Sequence, residues 1–78
     1  MIKYEFRISY SEPVLFLTYG NKNSFLVYDK AKDKIIVKNS NFIKEHKYII
    51  VDLKEQMINE NRDYKELIEK IMNKIEKY

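Results

Sequence analysis

The side chains best able to do chemistry in this chain are His46, its carboxylates and its lysines. His46 is the only histidine. A hydrolytic triad would have to join it to a carboxylate such as Glu45 or Asp52 and to a serine. Glu45 is its immediate neighbour, and adjacent residues on an extended chain point apart. No nucleophile elbow is present to expose a serine. His46 is therefore read as a solvated loop histidine. With one histidine and no cysteine, a metal site would need carboxylates alone, and no EF-hand spacing occurs. Glu66, Glu69 and Glu76 alternate with Lys65, Lys70, Lys74 and Lys77 in the last segment. Glu66 and Lys70 stand four apart, an attractive pair on a helix, so this reads as a solvated helix face. A single glycine leaves no glycine-rich loop to cradle a phosphate. No catalytic residue, metal ligand or cofactor is assigned, and the chain is not read as an enzyme.

The lysines make a different case. The net charge of +3 sits mainly in residues 21–50, which carry seven lysines against Asp29, Asp33 and Glu45. Lys30, Lys32, Lys34 and Lys38 cluster on one expected hairpin, with Lys44 and Lys47 after it and Tyr28, Phe42 and Tyr48 interleaved. Cations neutralise phosphates and aromatic rings stack on bases, so Tyr28, Lys30, Lys32, Lys34 and Lys38 form a candidate nucleic-acid surface. Against this, two aspartates lie inside the cluster. Arginine, which bidentate phosphate and base contacts prefer, occurs only at Arg7 and Arg62. The segment Ser24-Phe25-Leu26-Val27-Tyr28 lacks the glycines of an RNA-recognition-motif strand, and no helix fits between the first two strands.

Elements that would carry these residues are legible from periodicity. Ile2, Tyr4, Phe6, Ile8 and Tyr10 alternate with Lys3, Glu5, Arg7 and Ser9, the period-2 pattern of a half-buried strand. Tyr64, Leu67, Ile68, Ile71, Met72, Ile75 and Tyr78 recur at helical spacing. Between them, strands are expected over about 14–19, 24–29 and 34–38. They are separated by turn residues at Gly20–Asn23, Lys30–Asp33 and Asn39–Asn41. The first strand is read as residues 2–10, and Glu12-Pro13 is expected to interrupt it. Residues 42–47 are ambiguous, and 48–53 read either as a fifth strand or as the lead-in to a helix. Asp52 with Glu55, and Asp63 with Glu66, have capping-box spacing. A short helix is therefore expected over about 53–60, then a break at Asn61-Arg62 and the main helix over about 63–77. The fold class is α+β: a four- or five-stranded antiparallel β-meander with one or two C-terminal helices packed on one face.

Composition bounds the function. A chain of 78 residues is read as one domain, and it buries only about 60% of the surface its unfolded form exposes. That leaves little material for both a scaffold and a catalytic cleft. Cysteine is absent, no apolar run approaches the roughly 20 residues of a membrane span, and Lys3, Glu5 and Arg7 interrupt any leader-like segment. A cytoplasmic protein with no membrane partner is expected. Ile (11), Lys (13), Asn (7) and Tyr (7) make up 38 of the 78 residues. Their codons are A/T-rich, which points to an A/T-rich bacterium or one of its phages.

One helix layer covers one face of a sheet. Were 48–52 a strand, the other face would show Phe16, Ile36, Tyr48 and Ile50. Large apolar groups left uncovered mark binding or dimer surfaces. Cover by the 39–48 segment or by the short helix is the intramolecular alternative. The functional expectation is a small non-enzymatic binding protein. Its specific form is a phage or mobile-element inhibitor of a larger host protein or ribonucleoprotein, such as a defence or nucleic-acid-processing machine. A homodimer is a second use of the same face, and a small basic nucleic-acid-binding regulator is the alternative function.

Overall fold

Alternation along the first strand requires a covered and an uncovered side, and the register of the sheet shows which is which. The computed structural model describes residues 1–10 and 12–78. Four strands, β1 (Lys3–Ser9), β2 (Glu12–Tyr19), β3 (Lys22–Asp29) and β4 (Lys34–Lys38), form an antiparallel meander in the order β1-β2-β3-β4. Three α-helices follow: α1 (Ser40–Asp52), α2 (Lys54–Glu60) and α3 (Lys65–Glu76), with a 3-10 turn at Arg62–Tyr64 before α3. The α+β meander is thus as expected, with four strands and not five.

Tyr4 lies opposite Leu17 and Phe6 opposite Leu15; Leu15 in turn faces Leu26, which faces Val37. This side of the sheet is buried. Leu15, Leu17 and Leu26 join Phe42, Ile43 and Ile50 of α1, Met57 of α2, and Ile68, Ile71, Met72 and Ile75 of α3 in one core. Among the described residues Ser24 is the one buried polar residue, and its hydroxyl donates to the carbonyl oxygen of Lys38. All helices therefore pack on one face.

Turn chemistry explains the short connections. Gly20 takes φ +61 in the two-residue turn between β2 and β3, a left-handed conformation that costs glycine no Cβ clash. Between β3 and β4, Asp29 Oδ1 accepts from the main-chain N–H of Ala31 (3.0 Å) and Lys32 (3.3 Å), the Asx-turn expected of this residue type. β1 ends before Glu12-Pro13 as expected, but Pro13 itself lies inside β2, which begins at Glu12 and not at about 14. Pro13 is opposite Ile8 of β1, while pairing with β3 begins only at Val14. Its missing N–H therefore falls where β2 is an edge on the β3 side.

The largest departure is α1. Residues 48–52 are helical, not a fifth strand, and residues 42–47 belong to the same helix. Asn39, expected in a turn, is its N-cap: Oδ1 accepts from the N–H of Phe42 (3.3 Å), and the backbone sits at φ 63, ψ 67. Its Nδ2 also donates to the carbonyl oxygen of Asn23 (2.9 Å), tying the cap to β3. The expected capping boxes are not formed. Asp52 ends α1, Asp63 sits in the 3-10 turn, and neither α2 nor α3 has a side-chain cap. The expected break at Asn61 is present, with φ −136, ψ 58 and its Nδ2 donating to the carbonyl oxygen of Met57 (3.0 Å).

Candidate binding surface

Because Leu15, Leu17 and Leu26 point to the helices, Val14, Phe16, Phe25 and Val27 must point the other way. Register places Phe16 directly opposite Phe25, Val14 opposite Val27, and Val27 opposite Ile36. None of the five belongs to the helix-packed core. They form an apolar stripe across β2, β3 and β4 that no helix covers. Phe16 and Phe25 meet with ring centroids 5.8 Å apart at a tilt of 40°. The Arg7 guanidinium lies 4.2 Å from the Phe16 ring centroid. It also approaches Glu5 Oε1 at 3.4 Å. Ile36 is 50% exposed, whereas Val14 is closed over by its neighbours. Lys34 and Lys38 flank Ile36 on the same side of β4.

The four residues expected on one uncovered face divide three ways. Phe16 and Ile36 do lie on the open sheet face. Tyr48 is exposed on α1 instead, with the Lys47 ammonium 5.4 Å from its ring centroid. Ile50 is completely buried in the core, so it cannot contact a partner. The correction follows from the change of period: in a helix, 48 and 50 are turned about 200° apart and no longer share a side. Val14, Phe25 and Val27 were the members of the face that sequence reasoning left unassigned. The alternation of β1, with Tyr4 and Phe6 inward, could have identified them through the hairpin register.

The lysine hairpin is also divided. Tyr28 does not present its ring to the open face. It turns toward α3, and its hydroxyl donates to Asp33 Oδ1. The same Asp33 oxygen accepts from Lys70 Nζ at 2.8 Å. The Lys70 ammonium, with help from Tyr28, holds the Asp33 carboxyl below the usual carboxylate range. The hydrogen bond to Asp33 raises Tyr28 in turn, and raises Lys70. Asp33 can hold φ +46 because aspartate tolerates the left-handed region. Lys34 lines an open groove of about 400 Å³ between β4 and α3, with Lys70 and Lys74 of α3 and its C-cap Lys77 on the other wall. Lys30, Lys32 and Lys38 are exposed and do not line it.

His46 is not a solvated loop residue. It lies on α1 with its side chain only 15% exposed. Its ring sits 4.8 Å from Tyr19 and 4.7 Å from Phe42. Glu45 Oε2 is 3.8 Å from Nε2. The imidazole acts as a flat packing group between β2 and α1. Among the described residues, no three His, Asp or Glu side chains gather where they could hold a metal ion. Among the described residues, no helix is long and apolar enough to cross a membrane.

Comparison of the chain with protein-family models, with curated proteins and with solved structures finds no match.

Proposed function

We propose that this protein acts without catalysis, by stoichiometric contact with a larger protein through the open face of its sheet. The observation that carries this reading is the apolar stripe on the face no helix covers, with Phe16, Phe25 and Val27 half-buried and Ile36 exposed beside the buried Val14, while three helices pack on the opposite face. Apolar area with a rim of charge, here Arg7, Lys34 and Lys38, is the composition of a protein contact surface. The small size and A/T-rich residue usage fit a phage or mobile-element product whose target is a host defence or nucleic-acid-processing machine.

The test is a tagged capture from lysate of an A/T-rich bacterium treated with nuclease, comparing wild type with Phe16→Asp/Ile36→Asp. The wild type should retain a protein in fixed ratio, and the double variant, folded by circular dichroism, should lose it. Equal retention by both would reject the sheet face. Recovery that vanishes with nuclease would favour a basic nucleic-acid-binding regulator.

A further inference from the structure

The free edge of β4 and the groove beside it form a second surface with a definite chemistry. β4 is the last strand of the sheet, so one side of its backbone has no strand partner. Such an edge is open to another strand unless something discourages it. Here Lys34 and Lys38 stand at its two ends. Beyond the edge, the groove floor is bounded by Ile35, and its far wall carries Lys70, Lys74 and Lys77. Those three recur at i, i+4 and i+7, so one side of α3 and its C-cap presents them in a row about 10 Å long. Lys70 is held by Asp33; Lys34, Lys74 and Lys77 have no carboxylate within ion-pair distance among the described residues.

The geometry points to an extended acidic segment of a protein partner, added as a fifth strand to β4. A strand placed there lies about 4.8 Å beyond β4, over the groove. Its backbone pairs with the free edge, and alternate side chains point to the two sides of the sheet. One set enters the groove toward Lys70, Lys74 and Lys77. The other lies beside Lys34, Ile36 and Lys38 and extends the apolar stripe. Carboxylates in either set meet lysines. The same lysines repel a second copy of β4, so the edge is closed to self-pairing and open to an acidic strand. Nucleic acid fits less well, because the one aromatic ring at the groove, Tyr28, is engaged by Asp33 and lies 5.2 Å from the Lys70 ammonium, not free to stack.

This inference rests on the protein-binding reading and shares Ile36 and its flanking lysines with the sheet face, but it turns on the β4 edge and the groove, and its test is separate. A fluorescein-labelled peptide alternating Glu and Val is titrated into the full chain, with amide shifts read by 1H–15N NMR. Saturable binding with shifts confined to residues 34–38 and to Lys70, Lys74 and Lys77 is expected. Lys34→Ser/Lys74→Ser/Lys77→Ser should weaken it about 10-fold, since three exposed ion pairs contribute modestly each. Asp33→Asn keeps a residue that tolerates φ +46, removes a repelling charge and frees Lys70, and should tighten binding. Phe16→Asp should change nothing. Absence of β4 shifts, or insensitivity to both Asp33→Asn and the lysine triple, would overturn the inference while leaving the sheet-face complex intact. So would preferential binding of labelled oligo(dT) with the same lysine dependence, which would make the groove a phosphate site.

Discussion

Two residues show how much of this fold hangs on single polar side chains. Asn39 joins β4 to α1 through a left-handed backbone, a cap on Phe42 and a bond to β3. Asn39→Ala should cost about 2 kcal/mol, the lost cap and the left-handed backbone each contributing about 1. Asn39→Gly keeps the backbone freedom and should lose less. Urea midpoints of the two variants check the order. Tyr4 makes the second case. Its hydroxyl donates to Glu60 Oε2 at 2.6 Å, tying β1 to the end of α2. Partial burial, then the Glu60 hydrogen bond, pushes its ionisation up to about 12 from 10.0. Above pH 10 the unfolded chain releases this proton while the folded chain keeps it. Stability from the contact is therefore complete below pH 10 and lost as pH rises toward 12. The stability difference between wild type and Tyr4→Phe should shrink across that interval. A constant difference would show that Tyr4 does not titrate as the contact requires.

At the scale of elements, α3 supplies more fully buried residues to the core than any other element. Ile68, Ile71, Met72 and Ile75 are essentially unexposed. Met72→Ala should cost about 2–5 kcal/mol, against a total stability of about 5–15 kcal/mol for a small domain. Thermal unfolding should show a large loss, whereas Lys65→Ala on the exposed side should show almost none. β1 and α3 were legible because their apolar residues keep one period without interruption. Helix α1 was not. Its inward row runs through Phe42, Ile43, His46, Lys47 and Ile50, so two polar residues interrupt the stripe. His46 packs between Tyr19 and Phe42 as an apolar group would. Lys47 bridges to the carbonyl oxygens of Glu76 (3.4 Å) and Tyr78 (2.7 Å). Without those tertiary contacts, Tyr48-Ile49-Ile50-Val51 reads as strand on β-branched content alone. The helix start was masked in the same way, since Asn39 serves a turn and a cap equally well.

For the whole molecule, the division of labour follows from one asymmetric sandwich. Three helices close one side of a four-stranded sheet, and the other side keeps an aromatic pair, two valines and Ile36 under one arginine and between two lysines. Two of the five residues of the uncovered face were legible in the sequence, Phe16 and Ile36. The rest depended on register, which alternation fixes only once one strand is oriented against its neighbour. Electrostatics at this scale also depends on the fold. The hairpin lysines and the α3 lysines are far apart in sequence, and only packing brings Lys34 to Lys74 and Lys77 around one groove. On the proposed reading, the protein works through these surfaces, by what it holds. The most direct measurement is the mass and composition of the complex captured from nuclease-treated lysate, wild type beside Phe16→Asp/Ile36→Asp. A protein bound in fixed ratio to the wild type and absent from the folded double variant is the predicted result. A partner retained equally by both, or a capture that nuclease abolishes, would contradict the account.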